Sequence, residues 1–112
     1  MELKLIDLKN EAEATELYNV IQEYYPKSPW PPTLEKIMAG GVIYFWAYHE
    51  GARIGMTGYT FKTPTLAETI KTTVFLEHRG KKLGNILSQA IEDECKRVGI
   101  KKDMTPFITL IM

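Results

Sequence analysis

Lys71-Thr72-Thr73-Val74-Phe75-Leu76-Glu77-His78-Arg79-Gly80-Lys81-Lys82-Leu83-Gly84-Asn85 is the stretch on which the reading of this chain turns. Its first part is β-branched and aromatic, as a buried strand is. Its middle is basic and carries a glycine, as a tight turn does. From Gly84 onward Ile86, Leu87, Ala90, Ile91 and Val98 recur at helical spacing. The segment therefore predicts strand, turn, helix. Such a turn directs several backbone N–H groups and the positive end of a helix dipole at one point. That arrangement is an anion site, and a diphosphate suits it.

Working upstream, residues 69–76 form the strand that enters this turn. Residues 42–48 and 53–61 are aromatic and β-branched, and His49-Glu50-Gly51 reads as the hairpin turn between them. Residues 62–68, with Pro64, connect to the next strand. Further back, Pro26, Pro29, Pro31 and Pro32 make a stiff loop that holds Trp30. Thr33 caps a short helix through Met38, and Gly40-Gly41 ends it. Asn10 with Glu13 reads as an N-cap with a reciprocal acid, and Leu17, Val20, Ile21 and Tyr24 give the helix over 11–25 one apolar face. Residues 1–8 alternate as a short strand. Downstream, Gly99 is placed as a C-cap, and Lys96, Arg97, Lys101 and Lys102 suit the negative helix end. Residues 107–112 form a short apolar strand. The order is β-α-α-β-β-β-α-β, an α+β arrangement.

Composition narrows the class of function. A chain of 112 residues holds one core. Its apolar fraction of 45% and charged fraction of 25% are those of a globular protein. Fourteen basic and fourteen acidic residues cancel, so no domain-wide positive field draws in a nucleic acid. Anion recognition has to be local. No run is apolar enough over its length to span a bilayer. The single Cys95 makes no internal disulfide and no signal peptide is seen, so a cytoplasmic setting is expected.

The quoted segment resembles the acyl-CoA-binding motif of the GNAT superfamily of acyl-CoA N-acyltransferases. That motif runs hydrophobic strand, Val-x-Pro-Glu-x-Arg/Gln-x-x-Gly-x-Gly/Ala, helix. Val74, Glu77, Arg79, Leu83 and Gly84 sit in its register. Leu76 replaces the proline. Lys82 replaces the first glycine of the Gly-x-Gly/Ala pair, and a lysine in the first turn of a helix can adopt the needed dihedrals. The element order is also similar to that fold, so the resemblance covers nearly the whole chain. It implies a single domain over 1–112 with a central, mixed but mostly antiparallel sheet flanked by helices. Relatives of that kind continue with a further helix and two strands, so the domain is expected to be C-terminally shortened.

The resemblance also implies a ligand, coenzyme A or acetyl-CoA as co-substrate. Backbone N–H groups of Gly80, Lys81, Lys82, Leu83, Gly84 and Asn85 would hold its diphosphate, with charge added by Arg79, Lys81 and Lys82. Thr72, Thr73 and Val74 would pair with the pantetheine arm as an added strand does; the alternative is a plain central strand with its ladder bonds made. The implied activity is an N-acetyltransferase moving acetyl from acetyl-CoA to a primary amine, of a small molecule or a peptide, by direct attack. The competing reading is a non-catalytic CoA-binding or interaction module with the same fold.

No general acid or base is assigned. Glu50, Glu68 and Glu77 are the carboxylates near the expected cleft, and each reads more simply as a solvated acid. The family often takes its acid from a C-terminal tyrosine that has no counterpart here. Tyr44, Tyr48 and Tyr59 read as core or cleft lining. His49 and His78 have no ligand spacing around them and read as surface residues, so no metal is expected. Cys95 reads as a packed small residue. Trp30, Trp46, Tyr24 and Tyr25 are candidates for an acceptor pocket. Phe107, Ile108, Leu110, Ile111 and Met112 make an apolar strand without charge, and an open apolar edge invites pairing with another chain. A homodimer through that strand is the expectation, against a monomer in which the strand is flanked within one chain.

Overall fold

Strand and helix signals recur in the computed structural model, which describes residues 1–26, 33–61, 63 and 67–97. In chain order the elements are β1 (Glu2–Leu5), α1 (Glu11–Tyr24), α2 (Leu34–Ala39), β2 (Ile43–His49), β3 (Ala52–Phe61) and β4 (Ala67–Val74). A single 3-10 turn at Leu76–His78 follows, and then α3 (Leu83–Arg97). The order is the one expected as far as α3. The last expected strand, over 107–112, lies outside the described residues, as do Trp30 and Gly99. No helix among the described residues is long and apolar enough to cross a membrane.

The chain divides into two compact units. Ile6–Gly41 carries α1 and α2. Asn10 caps α1, its side-chain Oδ1 accepting from the Glu13 N–H at 3.1 Å. The capping box is only half formed. Glu13 lies 3.5 Å from the Asp7 N–H, and the Asn10 N–H donates instead to the Asp7 carbonyl. Thr33 Oγ1 caps α2 by accepting from the Lys36 N–H at 3.1 Å. Ala14, Leu17 and Ile21 form the buried stripe of α1.

The other unit, Met1–Leu5 with Val42 onward, holds the sheet and α3. Its four strands are all antiparallel, in the order β1-β2-β3-β4. His49 pairs with Ala52, so Glu50 and Gly51 alone make the hairpin loop. Both have positive φ, 51° and 82°, as a type I′ turn requires. On α3, Leu83, Leu87, Ile91 and Cys95 are spaced four apart and buried. They pack against Phe45, Ala47, Ile54 and Tyr59 of the sheet. Burying Leu87 and Ile91 stabilises the unit by about 2 kcal/mol each.

Two bulges interrupt the ladder where the sequence suggested plain strands. Ile54 is the extra residue between the Ala47–Gly55 and Tyr48–Arg53 pairs. Lys71 and Thr72 of β4 stand opposite the single Thr57 of β3. Lys71 there has φ 50°. A bulge of this kind bends and twists its strand. The Thr57 and Thr72 hydroxyls bridge the gap at 2.9 Å. At the mouth of β4 the two backbones approach so closely that a Cβ on Gly55 would collide with the Thr73 carbonyl oxygen.

Candidate functional site

β4 ends because its backbone turns back on itself. The Phe75 N–H still donates to the Ile54 carbonyl, but the His78 and Arg79 N–H groups donate to Phe75 O and Leu76 O. This makes the 3-10 turn, which exposes Leu76 and Glu77. Arg79 Nε then donates to the Val74 carbonyl at 2.9 Å, tying the turn to the strand end. Gly80 follows with φ 86°, a conformation that costs a glycine nothing.

Lys82 departs from the expectation. It is not in the first helical turn: α3 starts at Leu83, and Lys82 before it has φ 60°. A residue with a Cβ adopts this left-handed conformation at a cost of about 1 kcal/mol. That is the physical reason a glycine suits the position, and lysine occupies it here under strain.

Helix geometry leaves the N–H groups of Leu83, Gly84 and Asn85 without acceptors inside α3. Lysine carries donors only, so the Lys82 side chain cannot cap them. The first turn of α3 contains no acid. The positive end of the helix is thus open, with Arg79, Lys81 and Lys82 exposed around it. A hollow of about 350 Å³ lies at this point, lined by Val74, Arg79, Gly80, Lys82, Leu83 and Gly84. A Cβ on Gly84 would meet nothing within 4 Å beyond its chain neighbours and the helix's own backbone. Of the residues the sequence suggested for the ligand, these six share the hollow. Lys81 and Asn85 border it in sequence without lining it. Thr72 and Thr73 lie farther back on β4. Thr72 is engaged with Thr57, and Thr73 Oγ1 donates to the Lys71 carbonyl at 3.1 Å. β4 is the last strand of the sheet among the described residues.

The candidate acids and bases divide by environment. Glu50 and Glu77 are exposed, and Glu68 is half-buried within β4. Tyr48 accepts a hydrogen bond from Arg53 Nε at 3.2 Å, and the same guanidinium sits 4.3 Å from the centre of the Trp46 ring. Tyr44 and Tyr59 are buried. Burial raises the Tyr59 pKa, helped by Cys95 and Glu94 nearby and opposed by Arg97. Tyr24 closes α1 with Tyr25 as its C-cap, both half-buried in the other unit.

Cys95 is fully buried at the far end of the α3 stripe. Burial first, then the Glu94 and Glu92 charges, push its thiol up to about 11. At 1.5 Å per residue it stands about 18 Å along the helix from Leu83.

Sequence reasoning missed two features beside the turn. One is Lys71, whose ammonium is shifted down by burial at the β4 bulge. Nothing in a Lys-Thr-Thr string announces a left-handed residue. The other is that His49 and His78, read separately as surface residues, line one hollow of about 300 Å³ with Lys81. Among the described residues no three His, Cys, Asp or Glu side chains are grouped to hold a metal ion.

A model of the acetyltransferase (GNAT) family matches residues 10–106 of the chain. No curated protein sequence matches it. Among solved structures, an aminoglycoside 6′-N-acetyltransferase complexed with coenzyme A superposes with a TM-score of 0.64 at 18% identity. The likeness covers 88% of this chain and 57% of that one, so the chain spans a little over half of that enzyme's length. A protein of Staphylococcus aureus subsp. aureus, assigned to the GNAT acetyltransferases, gives a TM-score of 0.63 at 14% identity, over 90% of this chain and 96% of its own. At these identities the likeness is one of fold.

Proposed function

This chain belongs to the GNAT family of acetyltransferases, and we propose that it carries an acetyl group from acetyl-CoA to a primary amine. The observation that carries the reading is the open N-terminus of α3 at the end of β4. The diphosphate of CoA would accept from the N–H groups of the turn and the first helical residues, and Arg79, Lys81 and Lys82 would add attraction. The glycine at position 84 leaves the space that a phosphate oxygen needs. The pantetheine arm would run back along Thr72, Thr73 and Val74.

The chemistry is direct attack. The lone pair of the neutral amine adds to the thioester carbonyl. The carbon–sulfur bond breaks as the carbonyl re-forms, the nitrogen loses a proton, and the departing thiolate gains one. No acyl group passes through Cys95, because its thiol is buried, protonated at neutral pH and remote from the α3 N-terminus.

A second reading, a CoA-binding module without turnover, is favoured by the exposure of Glu50 and Glu77, which gives neither the burial that tunes a catalytic carboxylate. One experiment separates the two. CoA affinity is measured alone, and free thiol release from acetyl-CoA is followed with a panel of amines. Binding with amine-dependent release supports the enzyme. Binding without release supports the module, and no binding removes both.

A further inference from the structure

The chain's two histidines come from segments that the fold brings together. His49 ends β2 beside the hairpin turn, and His78 closes the 3-10 turn after β4. β3 starts next to β2's end and pairs with the end of β4, so the hairpin tip and the basic turn are neighbours. Between them lies the hollow of about 300 Å³. Its polar lining is His49, His78, Lys81 and Glu50, and Ile54 and Leu83 contribute apolar surface. Leu83 also lines the hollow at the start of α3, and Lys81 sits between Gly80 and Lys82, which do the same. The two hollows therefore adjoin.

We propose that this second hollow receives the ribose 3′-phosphate of coenzyme A. The inference rests on the proposed binding of the CoA diphosphate at the α3 start. In CoA a single ribose separates the diphosphate from a phosphate monoester, so a ligand seated in the first hollow presents the monoester to the adjoining one. Imidazole N–H groups and the Lys81 ammonium are donors suited to a phosphate dianion. Ile54 and Leu83 offer contact to the sugar and base. Glu50 works against the ligand. Its Oε1 lies 4.0 Å from His49 Nε2, where it competes for the same donor and repels a phosphate.

The test is a titration of the full chain with CoA and with dephospho-CoA, which lacks only the 3′-phosphate. Wild type is expected to bind CoA more tightly by up to about fivefold, the upper end for an exposed ion pair. The double variant His49→Gln/His78→Gln should bring the ratio toward one through loss of CoA affinity. Glu50→Gln should widen it, an opposite sign that general damage to the fold does not produce. Equal binding of the two ligands by wild type overturns this inference and leaves the diphosphate site standing. Binding of neither overturns both.

Discussion

Helix α1 closes its own N-terminus, and α3 leaves its N-terminus open. At α1 the Asn10 side chain accepts from the Glu13 N–H, and Glu11 and Glu13 place negative charge at the positive end. At α3 the preceding residue is a lysine held at positive φ, the first turn has no acid, and cations surround it. A helix that only has to be stable gains by capping itself, at about 1 kcal/mol per good cap. One that must hold an anion gains by leaving those donors to the ligand. The contrast between the two ends is what separates a structural helix from a proposed binding one in this chain.

The contrast can be broken at either end. The largest effect is expected from Gly84→Val. A side chain there should occupy the space of a phosphate and weaken CoA binding at least about tenfold, the scale of one lost charge-assisted hydrogen bond. The fold should hold, since nothing beyond the chain neighbours and the helix's own backbone lies within 4 Å of the added Cβ and valine is no worse than glycine in a helix. Calorimetric titration beside a thermal melt reads both. Asn10→Ala is the mirror experiment. It should cost about 1 kcal/mol in urea unfolding and leave CoA affinity unchanged.

The opposite end of α3 supplies a pH test. The Cys95 thiol is raised from 9.0 to about 11 in the folded chain. The unfolded chain therefore releases this proton first. The contribution to stability is complete below pH 9 and is lost as the pH rises from 9 toward 11. Denaturant midpoints for wild type should fall faster over that range than those of Cys95→Ser. If there is turnover, the same variant should retain it.

Two smaller effects sharpen the picture at the α3 start. Salt near 1 M shortens electrostatic reach to about 3 Å and should weaken CoA binding several-fold, while the Asn10 cap should respond little. Lys82→Gly should raise stability by about 0.5 kcal/mol, because release of the left-handed strain outweighs glycine's extra chain entropy. A lower urea midpoint would show that Lys82 is not strained.

What could be read from the sequence follows from what is local. The Glu50-Gly51 hairpin, the Asn10 and Thr33 caps, and the Leu87 and Ile91 part of the α3 stripe depend on spacings of two to four residues, and their signals survive in the linear string; Ile86, read as part of that stripe, is exposed, and Leu83 and Cys95 complete it instead. Lys71 and Lys82 are different. Lys71 is left-handed where β4 bulges against β3, and Lys82 is left-handed just before α3, both against the preference of lysine itself. That His49 and His78 line one hollow depends on strand register across the sheet, which no short motif encodes. The turn proposed to hold the ligand could be singled out because its glycines and cations sit in one run. The residues that flank it in space could not.

The most direct test of the account is a titration of the isotopically labelled chain with CoA, followed by backbone amide shifts. If the α3 start binds the diphosphate, the earliest and largest changes fall on Gly80, Lys81, Leu83, Gly84 and Asn85, and Glu11, Ala12 and Glu13 at the start of α1 stay still. Saturable shifts centred elsewhere, or none at millimolar CoA, would contradict it.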